Sequence, residues 1–186
     1  MYGVFDKRKG NKMKKVLTNV VSVILIASMG LSVSGCAGKI KPVAKKDFKK
    51  ALEESFDIDD DDYTDYKGSD YDNVFYVEHD YYVEYYQFDD EDDAMDMFDE
   101  FYDRYEDMVD DKDFKGRHRS VVNDKKAYGY ILLKGESDDD DFFDGDIYGG
   151  IYWVDDTIII VLVSSDKDKY VDNITAMIRA LGYPKP

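Results

Sequence analysis

A chain of 186 residues carrying 42 Asp and Glu against 25 Lys and Arg has a formal net charge of −17. That charge repels a phosphate backbone and so excludes nucleic acid as a partner. A single cysteine excludes an internal disulfide framework, so stability must come from a packed core, for which an aromatic content of 15% supplies the material.

The first organised stretch is a leader. Lys14 and Lys15 follow Met13, and Val16 to Val33 is apolar apart from small or mildly polar interruptions at Thr18, Asn19, Ser22, Ser28, Gly30 and Ser32. A basic start, an apolar middle and a small-residue end, in that order, describe an export signal. A membrane-spanning helix needs about 20 apolar residues, and this run is of borderline length. Its end decides between the two. Leu31-Ser32-Val33-Ser34-Gly35-Cys36 places two small residues, which let a peptidase close on extended backbone, directly before the sole thiol of the chain.

This stretch resembles the lipobox of bacterial lipoproteins. The resemblance implies cleavage between Gly35 and Cys36 and a diacylglyceryl group on the Cys36 sulfur. Two acyl chains make a stable anchor where one is marginal. The expected organisation is a signal peptide over 1–35, a lipidated tether over 36–44 and one domain over 45–186, held at the outer face of the cytoplasmic membrane. A second Met-Lys-Lys start makes Met13 the expected first residue. Residues 1–35 hold six of the basic and one of the acidic residues, leaving 19 and 41 beyond them, a net charge of −22. Lipid would hold such a domain at the membrane while its charge pushes it off anionic lipid.

In chain order, Lys45 to Phe56 repeats apolar residues at Phe48, Ala51, Leu52 and Phe56, which predicts a helix. An acidic, turn-rich segment follows from Asp57 to Asp72. Val74 to Val77 and Tyr82 to Phe88 are β-prone and predict a hairpin. Asp89 is the expected cap of a long helix whose first turn, Asp90 to Asp93, puts negative charge at the positive end of the helix dipole. Its inward residues are Ala94, Met97, Phe98, Phe101, Tyr105, Met108 and Val109. Lys112 to Arg119 is polar and basic. Ser120 to Val122 with Ala127 to Lys134, and Ile147 to Val154 with Thr157 to Ser164, predict two more hairpins, separated by an acidic loop over Glu136 to Asp146. The continuously apolar Ile158 to Val163 reads as a strand covered on both faces or central in its sheet. Ser165 or Asp166 is the expected cap of a last helix, which Gly182 ends. The expected fold class is α+β, an antiparallel sheet of hairpins with about three helices packed on one face.

Three clusters carry candidate chemistry. The acidic runs, with Asp57, Asp59 and Asp61 in the first and Asp139, Asp141 and Asp144 in the second, offer oxygen ligands for calcium. They depart from the calcium-loop template: Asp62 stands where glycine is needed and Gly68 where the closing glutamate belongs. Runs of adjacent aspartates more often form solvated loops. A basic island of Lys115, Arg117, His118 and Arg119 offers an anion patch, or simply balances the acidic helix before it. The strands are rich in tyrosine, at Tyr71, Tyr76, Tyr81, Tyr82, Tyr85, Tyr86, Tyr148 and Tyr152 with Trp153. About half of these must face a core, and any exposed remainder is the place for a binding face. No nucleophile elbow, phosphate-cradling loop or histidine pair is found.

In composition and layout the chain resembles the small, acidic, tyrosine- and aspartate-rich lipoproteins of Gram-positive gut bacteria, a class that carries no catalytic residues over. The expected function is a binding module for a protein, peptide or glycan, without enzymatic activity. A carboxylate-dependent hydrolase of wall or extracellular substrate and a calcium-binding accessory protein are the alternatives.

Overall fold

Strands that are apolar at both odd and even positions require cover on both faces of their sheet, and three helices provide it. The computed structural model describes residues 40–186 apart from His79, Asp140 and Asp141. The leader, Gly35 and Cys36 therefore lie outside the described residues, as does Asp141. The elements are α1 (Lys45–Phe56), β1 (Thr64–Lys67), β2 (Tyr71–Tyr76), β3 (Tyr81–Phe88), α2 (Glu91–Asp110), β4 (Phe114–Asn123), β5 (Tyr128–Asp139), β6 (Phe143–Val154), β7 (Thr157–Val163) and α3 (Asp168–Leu181). The seven strands form one sheet in the order β1-β2-β3-β7-β6-β5-β4. Every pairing is antiparallel, which establishes the α+β class. Two meanders, β1–β3 and β4–β7, join where β3 pairs β7, with Glu84 opposite Ile160.

The central strand β7 is buried along its whole length. Ile159, Val161 and Val163 face a core shared with Phe48 and Leu52 of α1 and Ile174, Met177 and Ile178 of α3. Ile158, Ile160 and Leu162 face Ala94, Phe98, Tyr105 and Met108 of α2. The helices thus divide between the two faces, α1 and α3 on one and α2 on the other, which corrects the expectation of a single helical face. A helix pattern reports which side of the helix is buried, not which side of the sheet receives it. Opposite Phe98 of α2, β5 has Gly129. A Cβ there would lie 2.7 Å from the Phe98 ring, and the space holds Phe98 stacked on Trp153 with centroids 5.7 Å apart.

The ends of elements differ from the reading in four places. Asp90, not Asp89, caps α2, its side chain accepting from the Asp92 N–H at 2.8 Å. Lys167 occupies the α3 cap position without a side-chain bond, while Ser165 accepts from its N–H at 3.4 Å. The acidic segment after α1 contains β1, whose residues are all exposed. The 136–146 stretch is the far end of the β5–β6 hairpin, paired in register to Asp139 opposite Phe143. Helix α1 is clipped to β1 through Asp65, whose two oxygens meet Lys45 at 2.6 Å and Lys49 at 2.8 Å. Gly182 ends α3 at φ 74°, as expected.

Both ends of the described chain are pinned on the α1/α3 face. Ile40 is buried in that core, the Tyr183 hydroxyl donates to the Lys41 carbonyl at 2.9 Å, and the Tyr152 hydroxyl donates to the Pro184 carbonyl at 2.7 Å. Among the described residues no helix is long and apolar enough to cross a membrane.

Candidate functional site

Alternation along β3 buries Tyr81, Val83 and Tyr85 against α1 and α3 and turns Tyr82, Glu84, Tyr86 and Phe88 to the other face. On β2, Val74 and Tyr76 are inward, so Tyr71, Asn73 and Phe75 share the face of Tyr82. Register places Thr64 of β1 opposite Phe75 and Tyr66 opposite Asn73, adding both to that face. The buried strand residues of the α2 cluster come from β5, β6 and β7, while Tyr86 and Phe88 of β3 pack against its margin, and beyond them the β1–β2–β3 half-face is open. Six large hydrophobic side chains are exposed among the described residues, and five of them, Tyr66, Tyr71, Phe75, Val77 and Tyr82, lie on or directly beside this half-face. Exposed hydrophobics scattered singly are ordinary, and a concentration of them on one face is not.

The rings brace one another. Tyr71 packs against Tyr86 and Phe88 with centroids 5.8 and 5.7 Å apart, and Tyr82 meets Phe143 edge to face at 5.8 Å. Three adjoining depressions of about 420, 440 and 490 Å³ share Tyr86 as a wall. The first lies between β3, α2 and the β5–β6 turn, the second runs across β1 to β3, and the third follows the edge of α2. Their polar rim is almost wholly acidic. Glu84 stands between Tyr82 and Tyr86, Asp70, Asp93, Asp96 and Glu100 line the α2 edge, and Asp144 and the lone cation Arg104 line the first depression. The Tyr86 hydroxyl donates to the Glu84 carboxylate. Burial first, then this bond, raises the Tyr86 phenol above its ordinary range, so it stays a donor and holds the carboxylate in place.

Of the tyrosines singled out from sequence, Tyr71, Tyr82 and Tyr86 belong to this face. Tyr76, Tyr81, Tyr85, Tyr148, Tyr152 and Trp153 are buried. Tyr66 and Phe75 were not singled out: the one sits on an unrecognised strand, and the other is legible only once β2 is given its register. The acidic residues are used locally. Asp57 takes a left-handed conformation at the end of α1, the Asp59 N–H donates to Asp62 at 2.9 Å, and Asp139 accepts from the Phe142 N–H at 3.0 Å within its turn. Among the described residues no group of three or more His, Cys, Asp or Glu side chains is placed to hold a metal, and no Asp or Glu is buried. The basic island is split by strand alternation. His118 faces α2, its Nδ1 2.8 Å from the Tyr105 hydroxyl, while Lys115, Arg117 and Arg119 project to the opposite side. Lys115 meets Asp138 at 2.7 Å, and Arg119 lies over the Tyr130 ring at 5.8 Å. Arg117 and Arg119 share a small groove with Lys185.

Comparison with protein-family models, with curated proteins and with solved structures finds no match to this chain.

Proposed function

We propose that the chain is a membrane-anchored lipoprotein whose domain is a binding module, taking an extended basic segment of a partner protein across its open aromatic half-face. The observation that carries the binding reading is the gathering, on one side of β1–β3, of five of the six large hydrophobics exposed among the described residues, inside a carboxylate rim. Aromatic rings supply contact area at little conformational cost. The rim, and the −22 charge beyond the leader, favour a cationic partner in encounter and in register. The anchor is supported by the Leu31–Cys36 stretch behind its basic, apolar leader.

The face is tested with a fluorescent ten-residue peptide alternating Lys with Tyr and Thr, and with the same peptide carrying Glu for Lys. The Lys peptide is expected to bind with an affinity that falls as salt rises. A Tyr66→Ser, Phe75→Ser double variant is expected to lose at least tenfold with an unchanged melting temperature. Equal binding by protein and variant would remove the half-face from the account. For the anchor, Cys36→Ser is expected to release the protein from the membrane fraction or leave its leader uncut, and normal processing and retention would end the lipoprotein reading.

A further inference from the structure

The 420 Å³ depression differs from its neighbours in having a floor and walls of different chemistry. Ile151, Ile160 and Leu162, all buried, form the floor where the sheet emerges from under α2. Tyr82 and Phe143, locked edge to face, stand on one side and Tyr86 with Phe101 on the other. Between the two tyrosines, at the intervening position on the same strand face, is the half-buried Glu84. Its carboxylate accepts one hydrogen bond from Tyr86 and retains further acceptor capacity.

We infer that this depression is a pocket for an alkylammonium group, the lysine side chain of the basic segment bound on the half-face, with Glu84 as its counter-ion and the tyrosine and phenylalanine rings as its cage. The inference rests on the binding-module reading and gives that module a specificity pocket. The chemistry selects the ligand from three sides. Ring faces attract a cation held above them and gain more when it is desolvated. The apolar floor accepts the methylenes of a lysine stem, which bury readily while the charged head stays near polar groups. An anion would face Glu84 and Asp144, and a neutral apolar group would cover the Glu84 carboxylate without replacing its water. Arg104, exposed on α2 at the same depression, opposes a cationic ligand and therefore limits its affinity.

Met97 lines this depression and the one along α2 and provides the readout, while Glu84, which lines this one and not the one along α2, tells them apart. In protein carrying 13C-methyl methionine, with the Met97 signal assigned by Met97→Leu, tetramethylammonium chloride and N-acetyl-lysine methylamide are titrated against sodium chloride at matched ionic strength. Both are expected to move the Met97 methyl signal along a saturable curve while the signals of the buried Met108 and Met177 stay in place. Glu84→Gln is expected to weaken binding at least fivefold, and Arg104→Gln to tighten it two- to fivefold. A Met97 response no larger than that of the salt control overturns the pocket. So does weakening by Arg104→Gln together with indifference to Glu84→Gln, which would identify an anionic ligand. The Lys peptide separates the two readings. Peptide binding with a silent Met97 removes the ammonium pocket alone, and loss of both removes the half-face as well.

Discussion

The half of the sheet face under α2 and the half left open beside it obey the same alternation and are built from different residues. Beneath α2 the outward positions of β5, β6 and β7 are Ile131, Leu133, Ile151, Trp153, Ile158, Ile160 and Leu162, all buried. Beside it, on β1 to β3, they are Thr64, Tyr66, Tyr71, Phe75, Tyr82, Glu84, Tyr86 and Phe88, exposed or half-buried, with the polar Asn73 buried among them. A face that is always covered is made mainly of aliphatic side chains, which have no use for water. A face covered part of the time is better made of tyrosine, whose ring gains from burial and whose hydroxyl is satisfied when wet. The open half is thus built of side chains that accept both water and cover, and the covered half of side chains that accept only cover.

Breaking the covered half should have the largest effect. Phe98→Ala removes a fully buried ring from between Gly129 and Trp153 and is expected to cost about 3–5 kcal/mol, measured by urea denaturation. Gly129→Ala presses the same contact from the other side, placing a methyl 2.7 Å from the Phe98 ring. It is expected to cost about 1–3 kcal/mol, and near-full recovery of stability on adding Phe98→Leu would confirm that the two positions share one space.

How much of this contrast could be read in advance depended on burial pattern. Helix α1 is legible to the residue because Phe48, Ala51 and Leu52 repeat at helical steps, and β7 because Ile158 to Val163 is continuously apolar and too short for a helix. Strand β1 is not, since Thr64 to Lys67 is exposed throughout and has no alternation to detect. Strand β4 was half seen: its basic residues sit on an edge strand, where charge guards against pairing with another chain and hides the period. The division of tyrosines into Tyr81 and Tyr85 inside and Tyr82 and Tyr86 outside was implicit in their alternation. It meant nothing until the sheet order showed which face each helix takes.

A smaller effect is expected at the clip between α1 and β1. Burial raises the Asp65 carboxyl, but its bonds to Lys45 and Lys49 outweigh that and leave it below the usual carboxylate value. The folded form therefore binds this proton less readily than the unfolded chain. The stability so contributed is complete above the unfolded value near pH 4 and is lost as pH falls through the lower folded one. Asp65→Asn should lower the melting temperature slightly at pH 7, consistent with about 1 kcal/mol or less for a partly exposed pair. The gap from the parent protein should close toward pH 2, and a gap that stayed constant with pH would show that the charge is not its source. The smallest effect belongs to the open half. Tyr66→Ser, at a side chain 54% exposed, should change folding stability by no more than about 0.5 kcal/mol. A larger loss would mean that the face is held together as a core and is not free for a partner.

The hydrogen bond from Tyr183 to the Lys41 carbonyl sets a path for mechanical load. Under the anchor proposed at Cys36, tension from the membrane enters the fold at Lys41. There it meets Tyr183, whose ring packs on Tyr152 of β6 with centroids 4.7 Å apart. Under that anchor a pull at Lys41 would pass sideways into an interior strand before it reached the start of α1. Ile40 and Lys41 join the α1/α3 core, on the side of the sheet opposite the aromatic half-face, so a load applied at Lys41 does not cross that half-face.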